Sequence, residues 1–210
     1  MNMKITLWAI LLGGIFAAFG GETNEVKPPC CRELPVDVTF SDKSIYQLES
    51  LWTSDVGRKI KLGVLHGKPQ VVAMFFASCQ FACPLIVGDM KKIAAALPEN
   101  MRTNVGFVLI SFDSEHDTVK ALHSYRQTHQ LSATNWTLLR GEPEDVRELA
   151  ALLGVNYRQD ASGQFSHSNL ITLLNGEGES AYQQAGLNKP VGEMVKKLDA
   201  LAKKPIVKTR

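Results

Sequence analysis

Residues 70–84 read QVVAMFFASCQFACP, and this stretch decides how the chain folds around its chemistry. Its first half, Gln70 to Phe76, is a continuous apolar run rich in Val and Phe, which is typical of a strand buried on both faces of a sheet. After Pro84, apolar residues recur at helical spacing, and Pro suits the first turn of a helix because it has no N–H to leave unpaired. The stretch therefore predicts a buried strand, a short loop that contains Cys79 and Cys83, and a helix.

Strands and helices alternate on both sides of this stretch. Asp55 and Gly57 supply turn geometry between two short segments, which predicts an N-terminal β-hairpin. The predicted strands are 46–52, 59–64, 105–112, 136–139 and 169–174, and the further helices are 119–129, 142–153 and 191–202. This alternation indicates βαβ units and a mainly parallel sheet, and such sheets place their chemistry at the carboxyl ends of strands. The cysteine loop follows a strand at that edge.

Length and charge exclude several classes of protein. The chain has 210 residues, which is typical of one domain with flanking segments. Its 23 Lys and Arg residues against 21 Asp and Glu residues give a formal charge of +2, without the basic excess of a nucleic-acid or anionic-membrane binder. We therefore expect no nucleic-acid partner, and membrane contact only through an N-terminal anchor.

The N-terminal segment indicates export. Lys4 is followed by an uncharged, mostly apolar run from Ile5 to Phe19, so residues 1–20 are interpreted either as a signal peptide or as an uncleaved N-terminal anchor. A mitochondrial transit peptide would be rich in Arg, and the first Arg is Arg32. Both alternatives place the rest of the chain outside the cytosol, in the periplasm or at the outer face of the inner membrane.

Composition predicts where the globular domain begins and ends. Residues 21–44 are polar and contain three prolines, which predicts an extended leader with Cys30 and Cys31 in it. The globular domain is predicted at 45–204 and a tail at 205–210. Adjacent cysteines can bond to each other only through a strained ring. Cys30 and Cys31 are therefore interpreted either as a tether or incidental pair, or as an auxiliary metal or redox pair.

Cys79 and Cys83 can face one small volume, with Cys83 at the entrance of the predicted helix. The positive end of a helix lowers thiol pKa values and favours the thiolate, which binds metals and attacks disulfides. A structural disulfide or two buried small side chains is the simplest alternative. Thioredoxin-type redox motifs have two residues between their cysteines, whereas this loop has three. A thiol peroxidase would have a hydroxyl where this chain has Phe76, so peroxidase chemistry is disfavoured.

A metal site would need a further ligand beside the two thiolates. Soft thiolates together with an imidazole suit copper or zinc. His167 stands before a predicted strand that a βαβ fold can return to the cysteine loop, although a lone His more often satisfies local hydrogen bonds. The other histidines are interpreted as solvated or capping side chains: His66, His116, His123 and His129.

Three motifs taken together resemble the Sco/SenC family of copper chaperones. They are Cys79-x-x-x-Cys83-Pro84, the run SFDSEHDT at 111–118, and the run FSHS at 165–168. The resemblance implies a thioredoxin-like fold, in which a central mixed sheet is flanked by helices. It also implies service to the binuclear copper site of cytochrome c oxidase, by copper delivery, by reduction of that site's cysteines, or by both.

The resemblance carries the family's copper ligands over to Cys79, Cys83 and His167. Thiolates favour Cu(I), and the imidazole could also accommodate Cu(II) with an extra ligand, so we expect copper in both oxidation states. Zinc is the main competing metal, but structural zinc prefers four ligands and only three converge in this pattern.

Two regions depart from the family's pattern. Gln80 stands where the family commonly has Pro, and Ser114 and His116 interrupt a D-P-E-R-D-T run. Asp113 follows a buried strand and is interpreted either as a residue that supports a ligand by a hydrogen bond or as a solvated loop residue.

Two other functions remain open alongside the metallochaperone. One is an exported thiol-disulfide oxidoreductase of thioredoxin-like fold, with Cys79 and Cys83 as its redox pair. The other is a non-catalytic binding module that retains the fold. Disulfide exchange needs only the cysteines, so copper retention that depends on His167 would favour the metallochaperone.

Overall fold

The computed structural model describes residues 39–161 and 165–203. Most strands of this part belong to one seven-stranded sheet, and β6 and β7 form a separate pair. The strands are β1 (Trp52–Ser54), β2 (Lys59–Ile60), β3 (Gln70–Phe75), β4 (Gly106–Ser111), β5 (Trp136–Arg140), β6 (Tyr157–Gln159), β7 (Phe165–His167), β8 (Leu170–Leu174) and β9 (Ser180–Ala185). The α-helices are α1 (Ala82–Ala96), α2 (Val119–Thr128), α3 (Pro143–Leu153) and α4 (Gly192–Ala202).

The sheet is mixed, as expected from the family resemblance. Its strand order is β2-β1-β5-β4-β3-β8-β9. Only β3, β4 and β5 pair in parallel, whereas β1 and β2 on one side and β8 and β9 on the other pair antiparallel. The expectation of a mainly parallel sheet is therefore wrong outside its centre. The polar strand β9 was not predicted, because its edge position leaves most of its side chains exposed and removes the apolar signal.

Burial explains why β3 and β4 read as continuous apolar runs. Every residue of these two strands is buried, because each has a strand on both sides and packed side chains on both faces. Helix α1 packs on β3 and β8, α2 on β1 and β5, and α4 on α1 and β9. Helix α3 begins at Pro143 and ends at Gly154, whose left-handed backbone (φ 69°) stops the helix as predicted.

The N-terminal hairpin is shorter than predicted. Residues Ile45–Gln47 form a 3-10 helix instead of a strand, because the Ser44 hydroxyl accepts the Tyr46 backbone N–H at 3.0 Å and caps that turn. Leu62–Leu65 is a second 3-10 helix. Ser44 is buried, and the Phe40 ring packs edge-on against Tyr46 with 5.5 Å between centroids. The last residues of the predicted leader thus pack against the domain.

Several predictions fall on residues outside the described ranges. These are the signal peptide or anchor at 1–20, the leader cysteines Cys30 and Cys31, and the tail at 205–210. Within 39–161 and 165–203, no helix has the length and apolar character needed to cross a bilayer.

Candidate metal centre

The cysteine loop leaves the carboxyl end of β3 and enters α1 directly. Helix α1 begins at Ala82 rather than after Pro84, so Cys83 is already its second residue. The Cys83 backbone N–H donates to Cys79 Sγ at 3.3 Å. Phe81, at the N-cap, provides no side-chain acceptor for the free N–H groups of the first turn. The Cys79 sulfur fills that role and is held over the start of the helix.

His167 reaches the same place from a distant part of the chain. It ends β7, where it pairs with Tyr157 of β6. Its Nε2 atom lies 3.7 Å from Cys83 Sγ. The two sulfurs and one imidazole nitrogen all lie within 4.8 Å of one another. Among the described residues, Cys79, Cys83 and His167 are the one group of His, Cys, Asp and Glu side chains that converges in this way.

A backbone carbonyl orients the His167 ring. Nδ1 lies 3.2 Å from the Ser168 carbonyl oxygen. A carbonyl can only accept, so Nδ1 carries the proton and donates it, and Nε2 presents its lone pair towards Cys83 Sγ. Metal-binding histidines are commonly held by a hydrogen bond of this kind from the other ring nitrogen.

Burial sets the charge state of the centre. The Cys83 side chain is 0% exposed, and this burial, with a further contribution from the hydrogen bond to Cys79, raises the pKa of its thiol well above the usual range. The expectation that the helix terminus would lower this pKa is therefore wrong for Cys83. Burial also lowers the pKa of His167. Both shifts favour neutral groups, so the metal-free centre holds a Cys83 thiol and an uncharged imidazole.

Aromatic rings form an apolar wall around His167. The Phe112 ring centroid lies 5.1 Å from that of His167, and the Phe76 ring meets it edge-on at 6.1 Å. Phe165 packs on both phenylalanines. Phe76 therefore has a packing role at the position where a peroxidase would have a hydroxyl. A wall of this kind lowers the local dielectric and favours an ion-ligand complex of low net charge.

The Asp113 carboxylate makes its contacts within its own loop. It accepts the His116 backbone N–H at 3.1 Å and lies 2.9 Å from Nδ1 of the His116 ring. This contact raises the pKa of the exposed His116 side chain. Support of a copper ligand by Asp113 remains a prediction.

Asp117 supports the cysteine loop and was missed by the sequence analysis. Its Oδ2 atom accepts the Ala77 backbone N–H at 2.9 Å and the Ser111 hydroxyl at 2.5 Å. These bonds join the start of the loop to the end of β4. Asp117 is buried, and that burial raises its pKa. In the sequence it is one acidic residue in a polar run, and nothing local separates it from its exposed neighbour Glu115.

The Asp117→Ala variant should be less stable by about 2–3 kcal/mol, because it leaves the buried Ser111 hydroxyl and the partly buried Ala77 N–H without this acceptor. Asp117→Asn keeps an acceptor oxygen for the Ala77 N–H and removes a buried charge, so its loss should be clearly smaller. Urea unfolding of the metal-free protein measures both. Equal losses in the two variants would show that the carboxylate's hydrogen bonds do not hold the loop.

Comparison with known proteins places this geometry in a family. A family model described as SCO1/SenC matches residues 47–203. The chain is 25% identical over 141 residues to a candidate copper-binding protein of Stutzerimonas stutzeri, with 65% of this chain and 67% of that protein aligned. It is 29% identical over 130 residues to the mitochondrial SCO1 homologue 1 of Arabidopsis thaliana, and that alignment covers 59% of this chain and only 37% of the plant protein.

Solved structures show the same fold. A SCO1/SenC family lipoprotein of Bacillus anthracis superposes with a TM-score of 0.68 at 24% identity, covering 79% of this chain and 100% of that one. Copper-bound ScoI of Arabidopsis thaliana superposes with a TM-score of 0.62 at 24% identity, covering 73% of this chain and 94% of that one. At this identity these structures establish the fold alone.

Proposed function

Because the chain belongs to the SCO1/SenC family, we propose that it is an exported metallochaperone that carries one copper ion on Cys79, Cys83 and His167. The observation that carries the proposal is the convergence of two sulfurs and one imidazole nitrogen within 4.8 Å. The copper-bound plant relative supports copper as the cargo. The apolar run at 5–19 and the bacterial lipoprotein of the same family support a location outside the cytosol.

The ligand set suits copper better than the competing metals. Two thiolates give soft donors for Cu(I), and the neutral imidazole adds a third donor without adding charge. Two thiolates also neutralise Cu(II) completely, which the low-polarity surroundings of His167 favour. Structural zinc prefers four protein ligands, and within the described residues only three side chains converge.

Unequal exposure of the two cysteines suggests how copper leaves. Cys83 is fully buried, whereas Cys79 is partly exposed. An incoming ligand would therefore replace Cys79 first, while Cys83 and His167 still hold the ion. We propose that the acceptor is the binuclear copper site of cytochrome c oxidase, as the family resemblance implies.

A thiol-disulfide oxidoreductase is the second candidate function. Both cysteines are free, and the Cys83 N–H contact holds the Cys79 sulfur beside the helix that carries Cys83. Oxidation of the pair to a disulfide would release two electrons and two protons to a disulfide in the acceptor, which would become two thiols. Such a reaction could prepare the acceptor's cysteines for copper, and it needs no histidine.

Anaerobic titration of the reduced, full-length protein with Cu(I) against a competing chelator tests the proposal. We expect one copper ion per globular domain. Parallel incubation with the copper-free oxidase domain, with its cysteines either reduced or disulfide-bonded, separates the two functions. Copper transfer to the reduced domain supports the chaperone, whereas reduction of the disulfide-bonded domain by a protein that retains no copper supports the oxidoreductase.

Copper uptake should become tighter as pH rises. Burial holds the Cys83 thiol protonated at neutral pH, and copper binds its thiolate, so loading must release that proton. The neutral His167 ring contributes no proton, because its pKa is lowered. The apparent Cu(I) affinity should therefore rise about tenfold per pH unit across the neutral range for each proton released. An affinity independent of pH would show that Cys83 is already ionised in the metal-free protein.

A further inference from the structure

Phe81 is the most exposed large hydrophobic side chain of the described residues. It is 84% exposed, compared with 66% for Val56 and 52% for Leu51. It lies between the two cysteines, two residues from each. Leaving a phenylalanine in water forgoes the burial that makes aromatic residues valuable in a core. Its position beside the metal centre therefore indicates a role in contact with another molecule rather than in stabilising the fold.

The local structure gives Phe81 no role in stability. It occupies the N-cap of α1, where Ser, Thr, Asp or Asn would accept an N–H of the first turn. Its side chain makes no such bond, and the Cys79 sulfur accepts the Cys83 N–H instead. Phe81 thus neither caps the helix nor packs in the core.

The stretch of chain around Phe81 is uncharged. Residues 77–88 contain no Asp, Glu, Lys, Arg or His. Ser78 and Gln80 are exposed, and Leu85, one helical turn after Phe81, is 42% exposed. Side chains four residues apart on a helix are neighbours. Phe81 and Leu85, which we call the Phe81 patch, therefore present apolar area on an uncharged stretch of chain beside Cys79.

Copper transfer brings a partner onto this patch. The ion can leave only if a ligand of the acceptor reaches it, and Cys83 is closed to solvent while Cys79 is partly open. An acceptor that approaches Cys79 must therefore come against the loop that carries Phe81. A shielded aromatic side chain near the centre of a contact is a frequent source of binding energy.

We propose that the Phe81 patch is the docking contact for the copper acceptor, and that the acceptor meets it with an uncharged, apolar surface around its own copper ligands. This inference rests on the proposed function. It assigns specificity to a residue that is not a copper ligand. When the acceptor docks, Phe81 becomes buried, and this contact raises the rate of copper transfer to the protein acceptor. The same contact has no effect on the removal of copper by a small molecule.

The test compares two receivers of Cu(I) from the loaded full-length protein. One is the reduced, copper-free copper domain of the host's cytochrome c oxidase, and the other is bathocuproine disulfonate, a chelator that needs no docking. Phe81→Ser should slow transfer to the oxidase domain by about tenfold or more, which corresponds to loss of one hot-spot contact. Chelator removal should proceed at the parent rate. Phe81→Leu, which keeps an apolar side chain, should recover most of the transfer rate.

Val56→Ala is the matched control. Val56 is also strongly exposed, but it follows β1, which runs antiparallel to β5, and β5 is parallel to β4 and β3. It therefore lies at the opposite edge of the sheet from the cysteine loop, and its truncation should leave both rates unchanged. We expect the Phe81→Ser variant to keep the melting temperature of the parent, because the Phe81 side chain neither caps the helix nor packs in the core. A parent-like melting temperature excludes misfolding as the cause of slow transfer.

Three other results would contradict the docking role of Phe81 or the proposed function. Parent-like transfer by Phe81→Ser would overturn the docking role and leave the chaperone function intact. Equal slowing towards the domain and the chelator would show that Phe81 acts on the copper site rather than on docking. Failure of the copper-loaded parent to supply the oxidase domain would overturn both this acceptor and the delivery half of the proposed function, while its copper binding would stand.

Discussion

The Cys83→Ser variant is expected to lose copper almost completely. Cys83 is fully buried, and its sulfur lies 3.7 Å from His167 Nε2, at the centre of the ligand group. A serine hydroxyl is a hard donor that stays protonated at neutral pH, so it supplies neither the charge nor the soft bond of a thiolate. Replacing a residue that only hydrogen-bonds to a metal ligand already lowers metal affinity about 10–100-fold. We therefore expect Cu(I) affinity to fall by more than about a hundredfold, measured by anaerobic competition with a chelator.

The copper loss of Cys83→Ser is best compared with that of Cys79→Ser. Cys79 is only partly buried, and its sulfur also accepts the Cys83 backbone N–H, a bond that a serine hydroxyl can replace. Its copper loss should be severe as well, and greater than that of any histidine variant. Circular dichroism and urea unfolding should show that both serine variants remain folded. Retention of parent-like Cu(I) affinity by Cys83→Ser would contradict the ligand assignment.

The His167→Ala variant is expected to separate the two oxidation states of copper. The remaining two thiolates should still capture Cu(I), but more weakly, because linear two-sulfur coordination satisfies that ion. Cu(II) prefers more donors, including nitrogen, so its affinity should fall by more than about a hundredfold. Sulfur-to-copper charge-transfer absorption, present in the Cu(II) form of the parent, should be absent from this variant and from both cysteine variants.

His116→Ala is the matched control for the histidine. His116 is an exposed histidine whose ring contacts Asp113 in its own loop, so its removal should leave copper affinity and absorption unchanged. His167→Ala also removes a ring from the contact with Phe76 and Phe112, and circular dichroism should confirm that the fold survives. Parent-like Cu(II) binding by His167→Ala would show that the ligand assignment is wrong and would favour the oxidoreductase.

Local patterns were enough to predict the centre of the fold. The continuous apolar runs form β3 and β4, and the Pro and Gly signals mark the two ends of α3 at the expected residues. The sheet is mixed, as the family resemblance implied. Prediction failed where local signals were weak. Strand β9 is polar because it lies at an edge, and Tyr46 entered a 3-10 helix because the Ser44 hydroxyl capped it. The edge position of β9 and the cap at Ser44 both depend on contacts that the spacing of apolar residues does not reveal.

The sequence by itself determined which chemical groups are available and where each lies along the chain. Two cysteines after a buried strand and a histidine before a later one are compatible with a soft metal site, and the family resemblance made that site the prediction. Their meeting is a property of the tertiary structure, because His167 is 84 residues from Cys83 and the intervening strands and helices bring it back.

Tertiary structure alone decided the charge and accessibility of these groups. A helix terminus predicts an ionised Cys83, but complete burial outweighs that local field because the surrounding protein replaces all of the water that would stabilise a thiolate. The same holds for Asp117, which packing buries under the cysteine loop, and for Phe81, which packing leaves in solvent. Solvation depends on all the atoms around a group, and the order of residues along the chain does not specify those atoms.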